Sequence, residues 1–197
     1  MQKGFTERLL CLECEGRINV WETYFSRVWF HRTHRLRPDR LQEKGIVIKG
    51  LCYTRFRLFH LSILWRAGIS RLSAFQSVRL GSHEGRIRTL LFEEEPGDPD
   101  VYPFFGIAQR VPETNKFQDQ LLKAPDASRL DGHRVYVFMF GGVMWCYLVS
   151  GNLGSFSMPL TFTKDGTLTL AVQDWNEDPY IQELAKRLAI SSKLSNK

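Results

Sequence analysis

The run from Tyr53 to Ile69, Y-T-R-F-R-L-F-H-L-S-I-L-W-R-A-G-I, constrains the fold more than any other stretch of the chain. Phe56, Phe59, Ile63, Leu64 and Ala67 recur at three- and four-residue steps, and Leu58, Leu61 and Trp65 fill the flank beside them, so nearly the whole circumference is apolar. Such a helix is buried. At the usual rise it is about 25 Å long, enough to cross a small domain once. Arg55, Ser62 and Arg66 share one edge of the helical wheel, Arg57 lies opposite, and His60 falls inside, where a hydrogen-bonded core histidine is the expected role.

A second helix is written ahead of it. Ile18, Trp21, Phe25, Val28 and Trp29 mark one face of a segment ending near His31, and Cys11-Leu12-Glu13-Cys14 stands at its start. Two thiols two residues apart at a helix start are a common half of a zinc site. His31 and His34 cannot complete it, because a continuous helix carries His31 about 25 Å from Cys14. A redox dithiol would want a preceding strand, so two readings remain: a zinc half-site, or two ordinary buried cysteines.

Residues 1 to 92 hold 17 lysines and arginines against seven acidic residues, a balance of +10, whereas residues 93 to 197 balance at −4. The densest basic run is His31-Arg32-Thr33-His34-Arg35-Leu36-Arg37-Pro38-Asp39-Arg40. Arg32, Arg35, Arg37 and Arg40, with Arg55 and Arg66, are the candidates for phosphate contacts, the alternative being a solvated connector. A basic face favours nucleic acid as partner; a protein partner or a second copy of the chain is the other expected contact.

The run Leu9-Leu10-Cys11-x-x-Cys14-Glu15, followed by Trp21-Glu22-x-Tyr24-Phe25, resembles the second half of the zinc-binding core in His-Asn-His-like (treble-clef) proteins of bacteria and phages. Phe59-x-Leu61-Ser62-Ile63-Leu64-Trp65-Arg66-Ala67 and Leu80-Gly81-x-His83-Glu84-x-x-Ile87-Arg88 are similar to the same group, and the likeness spans roughly residues 5 to 105. It implies a zinc-dependent frame, with Cys11 and Cys14 as two of its metal ligands, in a nucleic-acid-associated protein of phage, mobile-element or defence type. The relatives carry an earlier Cys-x-x-Cys and a His-bearing stretch, and residues 1 to 10 here contain neither Cys nor His. The expectation is therefore a chain that grips nucleic acid without cutting it alone. The alternatives are a metal-dependent nuclease subunit completed by a partner chain and a protein-interaction module.

Gly45 to Gly50 reads as a short strand, and Ser82 caps a helix carrying Ile87, Leu90 and Leu91 inward. His83-Glu84 opens that helix as cap and dipole partner rather than as a catalytic pair. Beyond the acidic loop Glu93 to Asp100 come strands at Val101–Ala108, Arg134–Phe140 and Val143–Val149, the last two joined by a Gly141-Gly142 turn. A second hairpin is expected from Leu160 to Val172 and a helix from Asp178, with Ile181, Leu184, Ala185 and Leu188 inward. Tyr136, Trp145 and Tyr147 sit at strand positions where aromatics fill a core more often than they stack on bases.

The expected fold is α+β: a helical, basic region over residues 1–100, then an antiparallel sheet with a closing helix over 101–197. Residues 1 to 10 show no leader pattern and no run reaches the ~20 apolar residues of a membrane helix, so the expectation is a cytoplasmic protein away from membranes.

Overall fold

The computed structural model describes residues 7–31, 41–42, 45–117, 122–149 and 162–177. Helix α1 spans Leu12–Ser26 and runs into a π-helical turn, Arg27–His31. Strands β1 (Leu41–Gln42) and β2 (Gly45–Ile48) precede the long helix α2, Tyr53–Ile69, and a single 3-10 turn, Ser73–Phe75, leads to α3, His83–Phe92. The strands that follow are β3 (Phe104–Val111), β4 (Lys116–Phe117), β5 (Lys123–Leu130), β6 (His133–Phe140), β7 (Val143–Val149) and β8 (Leu168–Asp174).

Helix α2 is the axis of the core. Ten of its 17 residues are buried, among them Phe56, Phe59, Leu64 and Ala67 from the expected stripe. Ile63 is half-buried, and Arg57 is buried as well. Helix α1 lays Ile18, Trp21, Tyr24 and Phe25 against it, and the π-helical turn keeps Val28 and Trp29 on the buried side. Phe25 stacks on Phe59 with ring centroids 4.0 Å apart. The strands supply the far wall of this aromatic centre with Phe104, Trp145 and Tyr147.

The described strands form one mixed sheet in the order β1-β2-β8-β3-β7-β6-β5, with β4 paired to the end of β3. Neighbours are antiparallel except β3 and β8, which run parallel from Gly106 opposite Leu170 to Arg110 opposite Asp174. That pairing corrects the expectation of a wholly antiparallel sheet. Its reason is register: β8 returns between β2 and β3 rather than beside its neighbour in sequence, β7. The Gly141-Gly142 turn closes β6 on β7 as expected, with φ of 60° and 77° and Phe140 opposite Val143.

Strand β5 was absent from the expected set. Pro125 and Asp126 interrupt any apolar pattern, and every residue from Asp126 to Leu130 is exposed, as suits a strand at the end of the sheet order. The expected first strand lies a few residues later, at Phe104–Val111. Of the second hairpin, the Phe162 to Leu168 bridge and β8 are described. Leu160, Thr161 and the helix expected from Asp178 lie outside the described residues.

The sheet is apolar on both sides. One face joins the helical core, and on the other Phe105, Val135, Cys146 and Leu148 form a second buried cluster. This double burial explains why β6 and β7 read as nearly continuous apolar runs instead of alternating ones. No helix among the described residues is long and apolar enough to cross a membrane.

Candidate anion-binding pocket and the Cys11–Cys14 pair

The arginines of α2 divide by what they touch. Arg57, buried, donates to the carbonyls of Pro96 (2.5 Å), Asp98 (2.8 Å) and Val101, and so pins the acidic loop to the helix. Burial lowers its pKa, yet three carbonyl acceptors satisfy a guanidinium that stays charged. Arg66 reaches Glu22 on α1 at 2.5 Å, so its charge is matched inside the fold. Arg55 is exposed, with its guanidinium 5.9 Å from the centre of the Tyr24 ring. Arg32, Arg35, Arg37 and Arg40 lie outside the described residues.

Cys11 occupies the N-cap of α1, and Cys14 lies one turn on, their Sγ atoms 3.3 Å apart. Cys11 is exposed and Cys14 half-exposed, which removes the reading of two ordinary buried cysteines. The Cys14 backbone N–H, and then its thiol, hold the Cys11 thiol below its ordinary pKa, while the contact with Cys11 raises that of Cys14. A zinc ion takes four such ligands. The pair offers two, and no group of three or more His, Cys, Asp or Glu converges among the described residues.

Two of the histidines, His60 and His83, serve the fold. His60 is fully buried and its Nδ1 lies 2.7 Å from the Tyr147 hydroxyl. Burial, then the charge of Arg57, depresses its pKa strongly, and burial raises that of Tyr147, so both are neutral in the core. His83 pairs through Nδ1 with Tyr102 at 3.1 Å, and Tyr102 also bonds Arg86. Burial, then Arg86 and Arg134, lower the His83 pKa. Tyr136, Trp145 and Tyr147 are all buried and present no ring to a base.

Positive charge converges elsewhere, at residues that sequence patterns did not single out. A pocket of about 320 Å³ is lined by Ser77, Arg79, Ala127, Ser128, Arg129, Arg134 and Tyr136. Tyr136 builds its wall: the hydroxyl donates to the Arg79 carbonyl at 2.5 Å and accepts from the Arg79 N–H at 2.9 Å. That clasp ties the segment before α3 to β6. Arg134 stands two residues before Tyr136 on the same strand face and donates through Nη1 to the Arg79 carbonyl at 3.0 Å. Arg129 is its cross-strand partner on β5.

No family model, curated protein or solved structure matches this chain. The geometry therefore carries the functional argument. Like charges directly opposite one another on an antiparallel pair destabilise it, and Arg129 faces Arg134. No carboxylate lines the pocket, and none of Arg79, Arg129 and Arg134 forms an ion pair among the described residues. The chain's other arginine pairings show the contrast: Arg110 meets Asp174 at 2.6 Å and Arg17 meets Glu13 at 3.0 Å. Three arginines line one concavity with no carboxylate among its described lining residues, a charge balance that would suit an anion. Guanidinium forks match phosphate oxygens with paired, charge-assisted hydrogen bonds.

Proposed function

We propose that this protein binds nucleic acid through its phosphates, with the pocket of Arg79, Arg129 and Arg134 as the described part of the interface. The observation that supports this reading is the cross-strand facing of Arg129 and Arg134 in a cavity with no carboxylate among its described lining residues. The exposed Arg55 and the basic run His31 to Arg40 in the sequence add positive charge that a polyanion would favour. The resemblance to His-Asn-His-like proteins implies a nucleic-acid-associated protein of phage, mobile-element or defence type. No aromatic ring is exposed among the described lining residues, so the expected recognition is of backbone rather than sequence.

The test is binding of a fluorescent oligonucleotide over a salt series. Log affinity should fall linearly with log salt, by about 0.7–0.9 for each phosphate neutralised. Replacing Arg129 and Arg134 by Gln should weaken binding at least about tenfold, since hydrogen bonds to charged groups are each worth about 1.5–3 kcal/mol. Affinity independent of salt and of both arginines would refute the reading.

The second reading, a metal-dependent nuclease subunit, draws on the outward-facing thiols of Cys11 and Cys14. The exposed Cys11 and half-exposed Cys14 would supply two ligands, and another chain the remaining two. It requires zinc to bind tightly only when that partner is added, and the binding to vanish in Cys11→Ser.

A further inference from the structure

Resting on the nucleic-acid reading above, we infer that the Arg79–Arg129–Arg134 pocket takes a terminal phosphomonoester, the phosphorylated end of a strand, in preference to a phosphodiester within it. Charge is the first argument. An internal phosphodiester brings one negative charge and two free oxygens, whereas a phosphomonoester brings about −1.5 to −2 and three oxygens. Three arginines from three separate segments, the loop before α3, β5 and β6, converge on one concavity. Arginines serving a backbone track would be strung along a surface, one for each successive phosphate.

The walls supply the second argument. The one aromatic ring in the lining is that of Tyr136, which is fully buried and has its hydroxyl committed to Arg79. Ser77 likewise spends its hydroxyl proton on the Pro125 carbonyl at 2.6 Å. With those two hydroxyls committed, the charged donors among the described lining residues are the guanidinium groups of Arg79, Arg129 and Arg134. A volume of about 320 Å³ sits at the small end of ligand pockets, enough for a phosphate and part of its sugar. Arg134 keeps donors in hand, since one of its five N–H groups is held by the Arg79 carbonyl.

The experiment measures fluorescence anisotropy of one short, internally labelled single strand in three forms: 5′-phosphate, 3′-phosphate, and hydroxyl at both ends. The full chain is used, with inorganic phosphate as competitor. One phosphorylated form should bind about tenfold more tightly than the hydroxyl form, as an added charged hydrogen-bond set predicts. The advantage should disappear in Arg129→Gln and Arg134→Gln, while Arg129→Lys, which keeps charge but loses the fork, should retain only part of it. Inorganic phosphate should displace the phosphorylated strand and leave the residual binding of the hydroxyl strand unaffected. Three forms binding equally well, with affinity still dependent on the arginines, would overturn this inference and leave nucleic-acid binding standing. If no strand bound, both readings would fall. Circular dichroism of each variant separates lost binding from lost fold.

Discussion

At the scale of single residues, the core holds one ionisable pair whose energetics are readable from outside. His60 is neutral in the folded protein because burial depresses its pKa far below the ordinary value. In the unfolded chain it titrates near 6.5. The unfolded state therefore binds the proton more strongly, so the stability associated with neutral His60 is complete above about pH 6.5 and declines as pH falls below it. Each pH unit below that point should cost about 1.4 kcal/mol while the native histidine remains uncharged. Urea denaturation at a series of pH values between about 7 and 5 measures the slope, and a His60→Gln variant should lose that component. Its hydrogen bond to Tyr147 gives a second handle. Tyr147→Phe leaves Nδ1 of His60 buried without its partner and should cost about 1–3 kcal/mol, visible as a lower denaturation midpoint.

At the scale of elements, two hairpins carry opposite expectations. The β6–β7 turn needs its first glycine twice over: φ at Gly141 is 60°, and a Cβ there would sit 2.6 Å from Trp29 Nε1, the same atom that donates to the Gly141 carbonyl at 2.8 Å. Gly141→Ala should therefore destabilise by more than the ~1–2 kcal/mol of the backbone conformation alone, and should perturb Trp29 fluorescence. The β5–β6 hairpin is the reverse case. Relieving the facing of Arg129 and Arg134 by Arg129→Gln should raise stability by about 0.2–1 kcal/mol while weakening anion binding. Thermal unfolding with and without oligonucleotide checks both halves. A variant that gained stability and kept its affinity would detach the repulsion from function.

For the whole molecule, the packing predicts one cooperative transition. Strand β2, from the basic half, pairs Ile46 with Leu170 of β8, and Phe56 of α2 packs against Phe104, Trp145 and Phe162 from beyond residue 100. Unfolding followed by tryptophan fluorescence and by far-UV circular dichroism should give coincident curves. Two separated steps would mean that the helical region and the sheet stand alone.

What the amino-acid sequence determined by itself was local. The periodicity of Phe56, Phe59, Leu64 and Ala67 fixed a buried helix, the Trp21, Phe25 and Trp29 face fixed its neighbour, and Gly141-Gly142 fixed a hairpin, because each signal lies within one or two turns of chain. Three features needed the tertiary structure. The parallel pairing of β3 with β8 joins segments some sixty residues apart, as Gly106 opposite Leu170 shows. Strand β5 exists by pairing with β6, whatever its own weak propensity, since context decides a strand of that composition. The proposed anion pocket depends on both levels: Arg79, Arg129 and Arg134 are unremarkable surface arginines in one dimension, and only the Tyr136 clasp and the β5–β6 register place them around one concavity. Short-range periodicity records which face a residue turns inward; it holds no record of which distant charges the finished fold will set side by side.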